Sequence, residues 1–326
     1  MKAVISTGWG PPEVLRLADV ERPAPRKREV CIRIVATSVT ASDCMARGLR
    51  VSSRYRLLAR LVLGMKAPRR PIFGMVLSGE IESVGRNVGS FQPGDQVFGL
   101  SQWKAGCYAE YVCWSAGGLL AARPTNLSDE EAVALPYGGL LGLHLLRRAS
   151  IQAGQRVLVY GASGAIGTAT VQLAKHFGAR VTGVCSTRNL TLVESLGAES
   201  VVEYTREDFT TSGERYDVII DAVGKRKSAR SMLRGGDALA PGGKTISIDD
   251  KFPRLRAEDL LLLKHLAESG ALKPVIDRTY RLEEIVEAHR YVEEGHKRGN
   301  VIVTLGQSDH DGSAGAPDVR ARRLVR

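Results

Sequence analysis

Hydrophobic and polar positions follow two different periods along the chain. Up to about residue 122, short apolar stretches such as EVCIRIVATSV, MVLSGEIESVG and DQVFGL alternate with the turn sequences QPGD and AGG, which predicts a β-rich unit. From Arg156 onward, apolar strands such as RVLVYG, RVTGVC and YDVIIDAVG alternate with helical segments. This second pattern predicts a parallel, doubly wound sheet and an α/β fold class.

One segment of the β-rich part follows a helical period instead. In YRLLARLVL, Tyr55 to Leu63, the apolar residues Leu57, Leu58, Leu61 and Val62 recur at intervals of three and four. This spacing predicts an amphipathic helix, and its arginines make that helix basic. The helix could lie on a membrane surface, but we expect its apolar stripe to pack over the mouth of a pocket.

Length and composition indicate a two-domain protein. The chain has 326 residues, of which 44% are hydrophobic, and this exceeds the usual size of one domain. We expect one unit over residues 1–122, a second over 123–262, a return to the first over 263–306 and a disordered tail over 307–326. Neither a signal peptide nor an apolar run of about 18 residues is visible, so we expect a cytoplasmic protein without a membrane span. Five scattered cysteines without a C-x-x-C pair are interpreted as reduced thiols.

The charge of the chain is strongly positive. A formal net charge of +11 and a pI near 9.6 raise the hypothesis of nucleic-acid binding. The basic clusters, such as RKREVCIR and KRKSAR, carry no pattern of stacking aromatic residues and no helix-turn-helix, so solvated surface is the favoured interpretation. We therefore expect no nucleic-acid partner. A positive field also suits a phosphorylated cofactor.

A glycine-rich turn joins the first predicted strand of the second unit to its helix. Gly161, Gly164 and Gly167 form G-x-x-G-x-x-G in the segment LVYGASGAIGTATVQLAK. A bare, tight turn of this kind lets a pyrophosphate rest against the N-terminus of a helix, where free N–H groups favour anions. We assign the turn to cofactor binding, with these contributing residues: Gly161, Ser163, Gly164, Ala165, Ile166 and Gly167.

The end of the next strand indicates which cofactor is bound. About 20 residues past the turn, where an acidic residue usually binds the adenosine ribose, this chain has Ser186, Thr187 and Arg188 after Cys185. Hydroxyls and a guanidinium would bind a 2′-phosphate, which a carboxylate would repel. We therefore expect NADPH, the alternative being that Arg188 is an ordinary surface residue. Further residues assigned to the cofactor site are Tyr204, Ala222, Val223 and Gly224.

Several of these segments together resemble the medium-chain dehydrogenase/reductase superfamily, in its zinc-independent quinone-oxidoreductase-like branch. They include VATSVTASDCMARG, GEIESVGRNVGSFQPGDQVFG, ALPYGGLLGLHLL, VLVYGASGAIGTATVQLAK and GHKRGNVIV, and the resemblance runs from Met1 to about Gly306. It implies a GroES-like catalytic domain, a Rossmann domain and a cleft between them for NAD(P)H. Zinc-dependent members hold a metal at positions that correspond to Thr40 and Met75, and their structural-zinc loop is reduced here to SQWKAGCYAEY. We therefore expect no metal.

Chemistry without zinc favours an acceptor that is already electrophilic. Hydride transfer to a quinone or an α,β-unsaturated carbonyl needs orientation and donors for the developing negative charge, but no Lewis acid. The catalytic candidates are Thr40, Asp43, Tyr55 and Tyr137. The apolar residues Met45, Val76 and Leu141 predict a small hydrophobic substrate, and His144 is interpreted as a satisfied core residue. Two alternatives stay open: a non-catalytic NADPH-binding protein with a sensor or interaction role, and an NADP-dependent alcohol or carbonyl oxidoreductase.

The resemblance also predicts a shortened nucleotide-binding sheet. Related reductases have a sixth strand after the segment that corresponds to APGGKTISID, but only DKFPRLR, Asp250 to Arg256, precedes the next helix here. Seven residues cannot form a strand and a parallel crossover, so we expect five strands in the order 3-2-1-4-5 with KTISID at an edge. The family dimer that pairs through the sixth strand is then in doubt. We expect charged residues to prevent this edge strand from pairing with another chain, unless a neighbouring loop covers the edge. These residues are Lys244, Asp249, Asp250 and Lys251.

Overall fold

A mostly antiparallel sheet, with one parallel strand pair, forms from the two ends of the chain. The computed structural model describes residues 1–50, 53–102, 104–225, 228 and 235–306. The strands β1 (Lys2–Ser6) and β2 (Leu15–Asp19) form a hairpin. The larger sheet has the order β13-β14-β3-β4-β5-β7, and β6 also pairs with β3. Its strands are β3 (Glu29–Val39), β4 (Val76–Val84), β5 (Gln96–Leu100), β6 (Tyr111–Ser115), β7 (Leu119–Ala122), β13 (Ile276–Arg281) and β14 (Asn300–Thr304).

The second sheet is parallel and has five strands in the described chain. They are β8 (Arg156–Tyr160), β9 (Arg180–Cys185), β10 (Ser200–Glu203), β11 (Tyr216–Asp221) and β12 (Leu239–Ser247). Their order, β10-β9-β8-β11-β12, confirms the predicted order 3-2-1-4-5 and the shortened sheet. The edge strand begins earlier than predicted, at Leu239, because a register shift lets it pair with β11 on both sides of an irregularity.

Hydrogen bonds and ion pairs fasten the loop that follows the edge strand. Asp250 accepts a hydrogen bond from the Ser247 N–H at 2.9 Å and forms an ion pair with Lys225 at 2.7 Å. Asp249 accepts from the Lys225 N–H at 2.8 Å. These carboxylates hold the loop together, and their role in protecting the strand edge stays a prediction. Lys244 is exposed on the strand itself.

The helices follow the predicted pattern closely. They are α1 (Ala41–Arg47), α2 (Ser53–Leu63), α3 (Asp129–Val133), α4 (Leu135–Ala149), α5 (Ala165–His176), α6 (Leu190–Ser195), α7 (Ala257–Glu268) and α8 (Ile285–Glu294). The predicted capping box before α3 is present, since Ser128 and Glu131 exchange hydrogen bonds of 2.9 and 3.2 Å. The helix predicted at SARSMLRGG and the tail beyond residue 306 lie outside the described residues, apart from Ser228 and Gly235–Gly236. No described helix is long and apolar enough to cross a bilayer.

The prediction for α2 is correct in its helix and wrong in its packing. The helix forms at Ser53–Leu63, but Leu57, Leu58, Leu61 and Val62 are between 52 and 65% exposed. Its apolar stripe therefore faces away from the body of the protein. By contrast, α4 is buried on almost all sides and joins the cores of the two sheets.

Candidate cofactor and substrate site

The glycine turn between β8 and α5 is too tight for side chains at two of its positions. A Cβ at Gly161, whose φ is +79°, would lie 2.2 Å from Cγ1 of Val223. A Cβ at Gly167 would lie 2.1 Å from the carbonyl oxygen of Gly161. Glycine at these positions therefore lets the turn approach the loop after β11 and lets α5 pack closely on β8.

The N-terminus of α5 is open and uncapped. Gly164 is the N-cap residue and offers no side chain, and the first turn of α5 contains no acidic residue. A Cβ placed on Gly164 would have the Gly161 carbonyl oxygen, at 3.6 Å, as its nearest neighbour. The free N–H groups of this turn, together with the helix dipole, fit the pyrophosphate of a dinucleotide.

A buried aspartate orders the loop on the other side of the turn. Asp221 is fully buried at the end of β11, and its Oδ1 accepts hydrogen bonds from the N–H groups of Val223 (3.2 Å) and Gly224 (3.1 Å). Its Oδ2 accepts from the hydroxyls of Ser228 and Ser247. Sequence reasoning assigned Ala222–Gly224 to the site but missed Asp221, although a carboxylate that ends the apolar strand YDVIID was a usable signal.

Asn189 connects the glycine turn to the end of β9. Its side chain is 3% exposed, and Nδ2 donates to Ser163 Oγ at 3.0 Å and to Ser186 Oγ at 3.1 Å. Because each serine oxygen accepts a hydrogen bond from the amide, each hydroxyl keeps its own proton for another acceptor. Asn189 thus leaves two hydroxyl donors, on Ser163 and Ser186, beside the glycine turn. Sequence reasoning missed this residue.

A carboxylate also lies at this end of the site, which sequence reasoning did not expect. Parallel pairing places Glu203 of β10 beside Cys185 of β9, and the Glu203 carboxylate accepts hydrogen bonds from the hydroxyls of Thr187 and Thr205. The bond from Thr187, followed by that from Thr205, lowers the pKa of Glu203. The Thr187 proton is therefore bound to Glu203, whereas we had expected this hydroxyl to bind the cofactor.

The last loop before β14 lies against the same turn. The Gly299 N–H donates to the Ser163 carbonyl oxygen at 2.8 Å, and Arg188 Nη2 donates to the His296 carbonyl oxygen at 2.7 Å. Arg188 is otherwise exposed, and Tyr204, directly after β10, is 49% exposed. Both side chains stand at the open end of the proposed adenosine site.

On the substrate side, Thr40 and Asp43 bind each other. Thr40 is the N-cap of α1, and its N–H and hydroxyl donate to Asp43 Oδ2 at 2.9 and 2.6 Å. Asp43 is 2% exposed, and this burial raises its pKa from 3.8 to about 6 despite the bonds from Thr40. The expected donor Thr40 is thus committed to a capping box.

Two hydroxyls meet where α1 faces α4. Ser42 Oγ lies 2.9 Å from the phenolic oxygen of Tyr137, and either atom can be the donor. Burial raises the pKa of Tyr137 to about 12, so the phenol stays protonated at neutral pH. The structure therefore brings Asp43 and Tyr137 close together through α1, and it adds Ser42, which sequence reasoning missed.

The remaining candidates have mixed surroundings. Tyr55 is 55% exposed on α2, whereas Thr40, Asp43 and Tyr137 are buried. Of the residues expected to line an apolar pocket, Val76 and Leu141 are buried and Met45 is 49% exposed. His144 is buried, but its Nε2 has no hydrogen-bond partner, so the interpretation as a satisfied histidine is wrong for that atom. Burial, followed by the nearby cations Arg148 and Arg147, lowers its pKa.

The donor set does not fit a zinc ion. The positions that correspond to zinc ligands carry the hydroxyl of Thr40 and the side chain of Met75, neither of which supplies a thiolate or an imidazole. Among the described residues, no group of three or more His, Cys, Asp and Glu side chains is arranged to hold a metal ion.

Comparison with known proteins identifies the family. Residues 26–124 match the family model "Alcohol dehydrogenase GroES-like domain", and residues 196–303 match "Zinc-binding dehydrogenase". The 2-methylene-furan-3-one reductase of Solanum lycopersicum is 32% identical over 317 residues, which cover 93% of this chain and 79% of the relative. The chain belongs to the medium-chain dehydrogenase/reductase superfamily. The resemblance found in the sequence is thereby confirmed.

Other members of this superfamily match over nearly the whole chain. The NADPH-dependent alkenal/one oxidoreductase of Arabidopsis thaliana is 30% identical, with 93% of this chain and 79% of the relative covered. The solved structure of the quinone oxidoreductase from Coxiella burnetii has a TM-score of 0.82 and 29% identity, with 94% and 99% of the two chains covered. As a medium-chain dehydrogenase/reductase of this branch, the chain is an oxidoreductase that uses a nicotinamide cofactor.

Proposed function

We propose that the protein is an NADPH-dependent, zinc-independent reductase of quinones or α,β-unsaturated carbonyls. The observation that carries this proposal is the Ser42–Tyr137 hydroxyl pair, which supplies a protonated donor where the two sheets meet. The open N-terminus of α5 supports it from the cofactor side. The relatives include an alkenal/one oxidoreductase and a quinone oxidoreductase, which agrees with this substrate class.

The bound cofactor supplies a hydride, and the residues of this chain bind, orient and stabilise. Hydride addition to the electrophilic carbon of an enone or quinone would place negative charge on the carbonyl oxygen, and water would supply the proton that completes the reduction. Tyr137 can donate its phenolic proton in a hydrogen bond to that oxygen. Ser42 can then donate its own proton to the phenolic oxygen of Tyr137. Because burial keeps Tyr137 protonated up to about pH 12, this donor is available throughout the neutral range.

Asp43 acts as a positioning residue in this scheme. Its carboxylate fixes Thr40 and the first turn of α1, and that turn carries Ser42. Both bonds from Thr40 are made within the protein, so neither residue offers a proton to the substrate. Positioning of this kind matters because small displacements of a donor reduce its benefit in the transition state.

Preference for NADPH follows from the donors at the end of β9. Ser186 has a free hydroxyl proton because its oxygen accepts from Asn189, and Arg188 adds a guanidinium on the exposed side. Together they offer charge-assisted hydrogen bonds to a 2′-phosphate. Glu203 opposes this preference with its negative charge, but Thr187, Thr205 and Arg206 surround that charge.

The experiment that tests the reaction compares Tyr137→Phe with the wild type. Turnover of a 2-alkenal at saturating NADPH should fall about 10- to 100-fold, because one oxyanion donor is lost, while NADPH affinity stays unchanged. Tyr111→Phe, on β6, is the matched control and should keep full turnover. Unchanged turnover in Tyr137→Phe would remove this residue from the mechanism.

One observation favours a second candidate function, a non-catalytic NADPH-binding protein. Thr40 and Asp43 are hydrogen-bonded to each other. Two of the four predicted catalytic residues therefore offer no free donor to a substrate. Such a protein would bind NADPH tightly and consume none with any quinone or 2-alkenal.

The free cysteines are compatible with a reducing compartment such as the cytoplasm.

A further inference from the structure

The segment between Asp43 and Gly74, here called the excursion, continues from the partly buried helix α1 and carries α2 on the surface of the protein. Both ends of the excursion lie close together, because the backbone of Gly74 is near enough to the Asp43 carboxylate to lower its pKa. Asp43 also orders the turn that carries Ser42, so the excursion starts and finishes beside the proposed substrate site. The helix α2 lies within it.

The outer face of α2 is apolar and uncovered. Leu57, Leu58, Leu61 and Val62 are 52 to 65% exposed, and Met65, just beyond the helix, is 53% exposed. Surface helices ordinarily turn such a stripe toward the core. Here the stripe faces outward, and an exposed apolar surface gathered on one element marks an interaction site.

The helix is held firmly at its C-terminal end. Trp9 Nε1 donates to the Gly64 carbonyl oxygen at 2.8 Å. Arg69 donates twice, from its N–H to the Leu63 carbonyl oxygen at 2.8 Å and from Nη2 to the Leu61 carbonyl oxygen at 3.1 Å. The bond from Trp9 joins the end of the helix to the body, and the two bonds from Arg69 close the turn that follows the helix.

The charge of the excursion has a single sign. No acidic residue occurs between Asp43 and Glu80, whereas the same segment contains eight basic residues. These are Arg47, Arg50, Arg54, Arg56, Arg60, Lys66, Arg69 and Arg70. The outer surface around α2 is therefore cationic as well as apolar, since Arg60, Lys66 and Arg69 are exposed.

We propose that α2 docks this protein on the surface of an anionic lipid bilayer. The apolar face would enter the boundary between headgroups and acyl chains, and the flanking basic residues would meet lipid phosphates. A second copy of the chain is a poorer occupant, because pairing two α2 surfaces would bring two cationic segments together. Charge complementarity thus favours lipid.

Docking in this way would give the substrate site a source of apolar molecules. Because both ends of the excursion lie near Asp43, the segment that carries α2 starts and finishes beside the turn that holds Ser42. Quinones and long-chain enals partition into bilayers. This consequence rests on the proposed function, whereas binding to lipid does not.

The test is sedimentation of the full chain with vesicles of phosphatidylcholine, with and without about 30% phosphatidylglycerol. We expect binding to the anionic vesicles that weakens as salt rises. Leu58→Glu with Leu61→Glu should lower the partition coefficient at least tenfold, and Arg60→Glu with Lys66→Glu should do the same. Turnover of a short, water-soluble enal serves as a separate readout and should be unchanged in both variants.

Matched controls lie on other surfaces. Leu261→Glu changes an exposed leucine of α7, and Arg86→Glu with Arg215→Glu reverses two charges away from α2; these variants should bind vesicles like the wild type. Absence of wild-type binding to anionic vesicles at low salt would overturn the proposal. So would binding that the α2 variants leave intact. A dimer that Leu58→Glu with Leu61→Glu dissociates, without vesicle binding, would identify a second copy as the occupant and also overturn it.

Discussion

Two carboxylates at opposite ends of the site accept hydrogen bonds from threonine, yet their pKa values move in opposite directions. Asp43, on the substrate side, is enclosed by protein, and burial raises its pKa to about 6. Glu203, on the cofactor side, is also only 7% exposed, but the exposed residues Thr205 and Arg206 lie beside it and the bond from Thr187 lowers its pKa. Loss of water outweighs the hydrogen bonds at Asp43, whereas the hydrogen bonds dominate at Glu203.

This difference separates a fixed end from a ligand-facing end. Asp43 makes its hydrogen bonds with Thr40, at the start of α1, so it determines the shape of the substrate side. On the cofactor side, Glu203 accepts the hydroxyl proton of Thr187, whereas Asn189 donates to Ser163 and Ser186 and leaves their hydroxyl protons free. Variants at the first end should change stability, and variants at the second should change cofactor affinity.

The largest expected effect is on stability, through Asp43. Its pKa is higher in the folded protein than in the unfolded chain, so between about pH 4 and pH 6 the folded state binds more protons. Its contribution to stability is complete below about pH 4 and is lost as pH rises through 6, an expected change of up to about 3 kcal/mol. Urea unfolding of Asp43→Asn at pH 4 and pH 7 should lack this pH dependence.

Exposed Asp19 provides the control for that measurement. Asp19→Asn should keep the pH dependence of the wild type, because its side chain stays in water. Identical pH dependence in Asp43→Asn and the wild type would show that burial does not control this carboxyl.

The next effect is on cofactor affinity, through Asn189. Asn189→Ala removes both donors that orient Ser163 and Ser186, so the dissociation constant of NADPH should rise roughly 10- to 100-fold. Calorimetric titration measures it. Asn126→Ala, whose amide bonds to the Ala267 carbonyl oxygen elsewhere, should bind NADPH normally. An affinity within twofold of the wild type would refute the role given to Asn189.

Arg188 should have a smaller and more selective effect. Arg188→Ala loses a charge-assisted bond to the 2′-phosphate, so NADPH should bind about 10-fold more weakly while NADH binding is unchanged. Arg180→Ala removes a guanidinium that pairs with Glu199 and is the control. If both cofactors weaken equally, Arg188 does not recognise the 2′-phosphate.

The smallest effect is expected at Glu203. Glu203→Gln removes a negative charge near the 2′-phosphate position and keeps an oxygen for Thr187, so NADPH should bind about two- to fivefold more tightly. NADH affinity and the Glu199→Gln control should not change. Weaker NADPH binding in Glu203→Gln would contradict this prediction. It would mean that the hydrogen bond from Thr187 to the carboxylate supports cofactor binding more than the negative charge opposes it.

Much of the fold could be predicted because its signals are local. The period of apolar residues located the strands, and the glycines located the turn, since close approach at Gly161 and Gly167 excludes side chains. The five-strand sheet and its order were predicted from the family resemblance together with the short segment Asp250–Arg256. The strands and the turn depend on a few neighbouring residues, whereas the strand order needed the family.

The site could be predicted only in part, because its key contacts join distant segments. Glu203 reaches Thr187 through the pairing of β9 with β10, and Ser42 reaches Tyr137 only because α1 packs near α4. In the sequence nothing distinguishes Asn189 from its neighbours. Only the structure shows that its amide contacts both Ser163 and Ser186. The outward turn of α2 also depends on tertiary anchors such as Trp9.

The central claim is that this cleft transfers a hydride from NADPH to an electrophilic acceptor without zinc. It is tested most directly by following NADPH consumption and product formation together, with a panel of quinones and 2-alkenals, in the presence of a chelator. We expect one equivalent of reduced product for each NADPH oxidised, with slower turnover from NADH. Tight binding of NADPH without consumption across the panel, or activity that the chelator abolishes and zinc restores, would contradict the account.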